Sequence, residues 1–141
     1  MPASDSLGSP EGLTTVPSHF GPKETMDRLE VEIRSKGLTI FARIDHAAGA
    51  SDVGLMLRPT NLIIFGNARG GTPLMQAAQT VGIDLPLKAL VWEDASGKTK
   101  ISYNEPGWIA HRHEIADAKP VVSKMTDLLR AITTTAASPL D

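Results

Sequence analysis

The spacing of apolar residues changes several times along the chain and predicts a mixed α and β fold. Segments whose apolar residues lie three or four positions apart are expected to be helices, and segments with alternating or continuous β-branched residues are expected to be strands. The predicted helices are residues 22–36, 72–82, 108–114 and a long terminal one that begins at Pro120. The predicted strands are residues 13–16, 38–46, 61–65, 86–93 and 99–104. Two long helices and a mainly antiparallel sheet correspond to an α+β architecture.

A histidine ends the strand predicted at residues 38–46. The alternation of this strand places His46 on the same face as four apolar residues, namely Leu38, Ile40, Ala42 and Ile44. The imidazole is therefore expected to face the core or a cleft at its rim. In that position it could act as a general base near neutral pH, or it could hydrogen-bond a carbonyl group at the strand end.

The composition fits one folded domain and excludes several kinds of chemistry. The 141 residues are 41% hydrophobic and 21% charged, and residues 13–136 are predicted to form a single domain between flexible tails at 1–12 and 137–141. Cysteine is absent, which excludes thiol nucleophiles, disulfides and thiolate zinc sites. A formal net charge of -2 and an aromatic content of 4% argue against nucleic-acid binding. Since neither a signal peptide nor a bilayer-spanning apolar run is recognisable, we expect a cytoplasmic protein without membrane contact.

The segment from Gly66 to Thr72 joins a buried strand to the second predicted helix. Thr72 and Pro73 are the predicted N-cap and first helical residue. Such a turn exposes backbone N–H groups at the positive end of a helix, and Arg69 adds a cation, so a small carboxylate or phosphate could bind there. Thr72 stands where a nucleotide-binding phosphate loop needs lysine, which excludes an ATP or GTP site. Alternatively, the glycines serve only to permit a tight turn.

The other polar and aromatic candidates give weaker signals. His111, Arg112, His113 and Glu114 lie together, but residues two apart on a helix diverge by about 200°, so the two imidazoles would not meet. The cluster is therefore predicted to be a solvated polar face, and no metal site is expected. Tyr103 is expected in the core, whereas Trp108 suits the core and a pocket wall equally well.

Several short motifs, in their order along the chain, resemble the family called domain of unknown function 302. They are Ile44-Asp45-His46-Ala47, Ile64-Phe65-Gly66-Asn67 with Gly71-Thr72-Pro73-Leu74-Met75, Leu85-Pro86-Leu87-Lys88 and Ser102-Tyr103-Asn104. The resemblance covers residues 13–132 and implies a β-α-β-β-β-β-α core with an extra helix between central strands, grouped with TATA-binding-protein-like folds. It also implies homodimers, but a shared fold does not carry DNA binding with it. Similar proteins often have Pro-Lys where this chain has Ala68-Arg69.

The resemblance supplies candidate positions and no reaction. The candidate site consists of the motif matches and two further residues: His46, Asn67, Gly71, Thr72 and Tyr103, with Arg69 and Trp108. The leading hypothesis is a homodimer that binds a small anionic molecule near the turn and His46, without a cofactor. Two alternatives stay open. One is an enzyme with His46 as general base and Asn67 or loop amides stabilising an oxyanion, and the other is a structural or interaction module without a pocket.

Overall fold

Five strands form one antiparallel sheet in the computed structural model, which describes residues 10–139. The strands are β1 (Leu13–Pro17), β2 (Thr39–Asp45), β3 (Thr60–Gly66), β4 (Leu87–Glu93) and β5 (Thr99–Asn104), in the spatial order β1-β5-β4-β3-β2. The helices are α1 (Pro22–Ser35), α2 (His46–Asp52), α3 (Ala68–Ala77), α4 (Pro106–Arg112) and α5 (Lys119–Ala137), with a 3-10 turn at Gln79–Ile83. This arrangement confirms the predicted α+β class and the hairpin of β4 and β5.

The two long helices, α1 and α5, cover one face of the sheet. Their apolar stripes meet the inward-facing residues of the strands in one core, whose fully buried members include Leu29, Ile33, Ile63, Phe65, Val91, Ile101, Leu129 and Ile132. On the opposite face, Leu62, Ile64, Leu90 and Trp92 are only half-buried. No helix within residues 10–139 is long and apolar enough to cross a membrane.

A β-bulge in β2 makes the predicted orientation of His46 wrong. Ile40 pairs with Phe65 and Ala42 pairs with Ile64, so Phe41 has no partner in β3. The extra residue reverses the alternation. Ile40 therefore shares the helix-covered face with Phe65, whereas Ala42 lies with Ile64 on the opposite face.

The strand also ends one residue earlier than predicted. The Asp45 side chain accepts a hydrogen bond from the backbone N–H of Ala48 at 2.9 Å and so caps α2. His46 is consequently the first residue of α2 and is exposed, rather than facing the core or a cleft at its rim.

The bulge also explains why a charged residue of β2 lies beneath α1. Arg43 pairs with Ile63 and therefore points to the helix-covered face. Its Nη1 donates to Glu30 Oε1 at 2.8 Å, and this hydrogen bond lowers the pKa of the Glu30 carboxyl. Strand β2 lies at the edge of the sheet, so the guanidinium keeps contact with water there.

Helix α3 begins before the predicted N-cap. Asn67 is the N-cap instead of Thr72, because Asn67 Oδ1 accepts from the Gly70 N–H at 2.6 Å. Pro73 therefore lies inside the helix, where its missing N–H would have bonded the carbonyl of Arg69. The α-helical part stops at Ala77 and the 3-10 turn takes the chain past Gly82, so the single helix predicted at 72–82 is in fact two pieces.

The C-terminal segment belongs to the fold further than predicted. Ala137, placed by the sequence in a flexible tail, is the last residue of α5 and is 3% exposed. Arg28 Nε donates to the Ala136 carbonyl at 3.0 Å and Nη2 to the Ser138 carbonyl at 2.8 Å. These bonds satisfy carbonyl groups that a helix end leaves without partners. Of the tails predicted at 1–12 and 137–141, residues 1–9 and 140–141 lie outside the described residues.

Candidate functional site

A cleft of about 350 Å³ lies beneath the turn that connects β3 to α3. Its floor and walls are apolar side chains from four separate parts of the chain, among them Leu38, Phe41, Met75, Leu85, Met125 and Leu128. The turn itself supplies Gly66, Asn67, Ala68, Gly70 and Gly71. The cleft therefore combines an apolar interior with a rim of backbone and amide groups, which is the usual constitution of a small-molecule site.

The polar rim is built by the N-terminus of α3. The Asn67 side chain caps Gly70, and the Gly71 N–H donates to the Asn67 carbonyl at 3.1 Å. Arg69 is exposed and lies between two lining residues, Ala68 and Gly70, without lining the cleft itself. The first turn of α3 thus places a cation and the positive end of a helix beside an apolar cleft.

One wall of the cleft is the segment from Leu85 to Leu87, and two groups hold this segment and the preceding Asp84 in place. Lys88 Nζ donates to the carbonyls of Asp84 and Pro86 at 3.1 and 2.9 Å, and burial lowers the pKa of this lysine. Arg112 Nη1 lies 2.8 and 2.9 Å from the two carboxylate oxygens of Asp84. Charge-assisted hydrogen bonds therefore fix the wall at Pro86 and at the Asp84 that precedes it.

Only part of the predicted site is brought together. Asn67 and Gly71 line the cleft, and Arg69 and Thr72 lie exposed on the same first turns of α3. His46 is at the opposite end of the β2 and β3 pair, because Asp45 pairs with Asn61 whereas Thr39 pairs with Gly66. Six residues of strand correspond to about 20 Å, so the sequence hypothesis of one site containing both His46 and the turn is wrong.

The two aromatic candidates are also outside the cleft. Tyr103 is a core residue of β5, as expected, and burial raises the pKa of its hydroxyl. Trp108 is half-buried against the core, with Arg112 at 5.9 Å from its ring centroid. Trp108 therefore packs against the core and does not form a wall of the cleft.

Sequence analysis missed a hydrogen-bonded chain of Thr80, His113 and Asp84. Thr80 Oγ1 lies 2.9 Å from His113 Nδ1, and His113 Nε2 lies 2.5 Å from Asp84 Oδ2. The expectation that residues 111–114 are a solvated polar face is therefore wrong for His113, whose side chain is only 8% exposed. His113 is the C-cap of α4, so the helical geometry used for that expectation stops one residue before it. No group of three or more metal-ligating side chains occurs among residues 10–139.

The sequence carried a signal for the turn but not for the cleft. Gly71 and Gly82, which lie on either side of Met75, can be recognised in the sequence as turn residues. In the structure, a Cβ atom at Gly71 or Gly82 would lie 3.6 or 3.3 Å from the Met75 side chain. The apolar lining comes from residues as far apart as Leu38 and Leu128, which only the fold brings together.

Comparisons with known proteins agree on one family. Residues 14–132 match the family described as Domain of unknown function DUF302. In solved structures, the crystal structure of an uncharacterized conserved DUF302 protein from Bacillus stearothermophilus superposes with a TM-score of 0.81 at 21% identity, covering 92% of this chain and all of that one. This likeness supports the fold alone.

Curated relatives are longer proteins. The chain is 48% identical over 113 residues to fluoride-specific ion channel FluC 1 of Brucella suis biovar 1 (strain 1330) and to FluC 1 of Brucella abortus biovar 1 (strain 9-941). The match covers 80% of this chain but 44% and 42% of those relatives, so the chain spans less than half of their length. The family match over 14–132, together with the motifs around the cleft, shows that the chain belongs to the DUF302 family.

Proposed function

We propose that this protein binds a small amphipathic carboxylate, with the apolar part in the cleft and the carboxylate at the first turn of α3. The observation that carries the proposal is the cleft of about 350 Å³ directly beneath the glycine-rich turn. Its volume falls in the range of about 300–1,000 Å³ typical of small-molecule sites. The proposed setting is the cytoplasm, as the sequence predicts.

The lining restricts the chemical class of the ligand. The interior presents leucine, methionine and phenylalanine side chains, so a fully polar anion such as inorganic phosphate would lose its hydration there without compensation. The rim offers the Asn67 amide, the helix end and the nearby Arg69. A short alkyl or aryl carboxylate satisfies both parts, whereas the sequence alone suggested only an anion. The cleft also favours a binding protein over a module without a pocket.

Binding is tested by calorimetry with straight-chain carboxylates of increasing length and with alcohols of the same length. We expect affinity to rise with chain length until the cleft is full, and the alcohol to bind more weakly than the carboxylate. Gly71→Val should weaken carboxylate binding about tenfold or more, because its side chain would enter the space beside Met75 and Leu85. Arg69→Gln should weaken it by about two- to fivefold, as expected for an exposed charge.

Matched substitutions separate binding from folding. Gly49→Val also replaces a helical glycine, but in α2, where a Cβ atom meets nothing within 4 Å. Arg130→Gln removes an exposed arginine of α5, away from the cleft. Equal affinities in Gly71→Val and Gly49→Val would overturn the site.

Sodium fluoride is included because the curated relatives are named fluoride-specific channels. Fluoride binding without carboxylate binding would replace the proposed ligand class with an inorganic anion.

We further propose that the protein is a homodimer, through the apolar segment before β3 and the neighbouring open face of the sheet. Val53, Leu55, Met56 and Leu57 are 72%, 65%, 99% and 49% exposed, and Ile44 on β2 is 40% exposed. Between Ala47 and Leu57 the only charged residue is Asp52. A segment almost free of charge can face its own copy across a two-fold axis without repulsion.

The size of the open face agrees with this partner. Five strands about 4.8 Å apart and about 20 Å long present about 480 Å², and the segment from Val53 to Leu57 extends that area beside the end of β4, where the Glu93 N–H bonds the Pro59 carbonyl. The sheet face alone is thus more than half of the area of about 800 Å² per partner in a standard interface.

Sedimentation equilibrium tests the dimer with Met56→Lys. We expect wild type to be dimeric at micromolar concentration and Met56→Lys to raise the dissociation constant about tenfold or more, since a lysine pair would be desolvated at the interface. Val31→Lys is the control, because Val31 is 62% exposed on α1, on the other side of the sheet. A monomeric wild type, or equal behaviour of the two variants, would contradict the proposal.

A further inference from the structure

The geometry points to Thr80 as a nucleophile that His113 activates, with Asp84 orienting the imidazole of His113. In this site Thr80 accepts an acyl group from a small activated ester. Thr80 and Asp84 belong to the 3-10 turn and its C-cap, whereas His113 is the C-cap of α4. The site is distinct from the cleft and does not depend on ligand binding there. The two sites meet only in the segment 79–87, of which Leu85, Pro86 and Leu87 line the cavity.

The three side chains form one continuous hydrogen-bonded chain. The distance from Thr80 Oγ1 to His113 Nδ1 is 2.9 Å, and the distance from His113 Nε2 to Asp84 Oδ2 is 2.5 Å. A nucleophile bonded to a base, with the base oriented by a third group, is the geometric signature of covalent catalysis. Thr80 and Asp84 precede His113 by 33 and 29 positions in the sequence. The fold, and not local structure, therefore brings the three side chains together.

The carboxylate determines which nitrogen of the imidazole carries the proton. An ionised Asp84 can only accept hydrogen bonds, so Nε2 must be the protonated nitrogen that donates to it. In the neutral imidazole the lone pair is then on Nδ1, directed at the hydroxyl of Thr80. This tautomer is the one that can remove the Thr80 proton.

Burial and charge hold the base in that orientation while the nucleophile stays accessible. The side chains of His113 and Asp84 are 8% and 14% exposed, whereas Thr80 is an exposed residue. Arg112 bonds both oxygens of Asp84, so the carboxylate cannot rotate away from the imidazole. A substrate can therefore approach the threonine from solvent without displacing the base.

The reaction transfers the acyl group first to Thr80 and then to water. Thr80 Oγ attacks the carbonyl carbon of an ester and forms the new C–O bond as its proton passes to His113 Nδ1. The bond to the leaving alcohol or phenol breaks, and that group leaves with the proton from the imidazolium. Water then attacks the threonyl ester with His113 as base, which releases the carboxylic acid and restores the hydroxyl.

The test incubates the full chain with 4-nitrophenyl acetate and follows both nitrophenol release and the intact mass. We expect one acetyl group on Thr80, located by peptide mapping and removed by hydroxylamine, which cleaves an ester but not a lysine amide. Thr80→Val should lose this adduct. His113→Gln should form it more slowly than wild type, by a factor of about 100 or more.

Controls distinguish catalysis from structural support. His111→Gln changes an exposed histidine of the same segment, and Thr134→Val changes an exposed threonine of α5. Both should acetylate at the wild-type rate. Thermal unfolding of every variant identifies any that fails to fold, and Thr80→Ser provides a second, conservative variant that should retain the adduct. An adduct that persists in Thr80→Val, or equal rates in His113→Gln and His111→Gln, would overturn the proposal. So would the absence of both a hydroxylamine-sensitive adduct and nitrophenol release above the uncatalysed rate.

Discussion

Phe65→Ala is expected to lower the free energy of unfolding by about 3–5 kcal/mol, which is the range for deleting a buried phenylalanine side chain. Phe65 is fully buried, faces the long helices from β3 and directly precedes the turn over the cleft. Its removal leaves a cavity between the sheet and α1 that the neighbouring strands cannot close, because they are fixed by pairing on both sides. Urea unfolding followed by circular dichroism measures the change.

Phe41→Ala is the matched control for that experiment. Phe41 is the bulged residue of β2 and is 55% exposed, so its truncation should cost less than about 1 kcal/mol. Phe41 lines the cleft, however, so Phe41→Ala is expected to weaken carboxylate binding. Equal losses of stability for the two variants would mean that the core is not centred where the structure places it.

Gly12→Ala is expected to be strongly destabilising for two separate reasons. Gly12 has a φ of 77°, a conformation that costs an alanine about 1–2 kcal/mol. A Cβ atom there would also lie 2.3 Å from Trp108 Cγ, so the indole must move, and overpacking of this kind costs about 1–3 kcal/mol. The sequence placed Gly12 in a flexible tail, but its carbonyl accepts a hydrogen bond from the Glu105 N–H at 2.7 Å.

Gly97→Ala separates these two causes. Gly97 has a similar φ of 81° in the turn between β4 and β5, and a Cβ atom there meets nothing within 4 Å. We expect Gly97→Ala to show only the backbone cost and Gly12→Ala to exceed it, as measured by urea unfolding of both variants. Equal changes would indicate that the residues around Gly12 do not pack on Trp108.

Local pattern was sufficient for most of the secondary structure, because period and turn chemistry act within a few residues. The hairpin of β4 and β5 illustrates this, since its turn is fixed by Asp94 Oδ1, which accepts from the N–H groups of Ser96 and Lys98. Alternation failed at His46 because one bulged residue at Phe41 reverses every later face of β2. The bulge depends on pairing with β3, which no segment of the sequence encodes by itself.

The candidate site was predictable only where it is local. The turn from Gly66 to Gly71 is one contiguous segment, so its glycines could be recognised in the sequence. Its first helical residue was misplaced because Asn67 and Thr72 are both good N-caps, and the pairing of β3 up to Gly66 favours the earlier one. The cleft and the chain through His113 are assembled from distant segments, and sequence spacing contains no information about such assemblies.

The pairing of β1 with β5 has a consequence for how the chain folds. Thr14 and Glu105 are 91 residues apart and hydrogen-bonded to each other, so the first strand cannot join the sheet until the last strand exists. During synthesis the N-terminal strand must therefore wait while β2 to β5 form by pairings between neighbours in sequence. We expect the hairpin of β4 and β5 to form early, and the docking of β1 to be the late step that completes the native state.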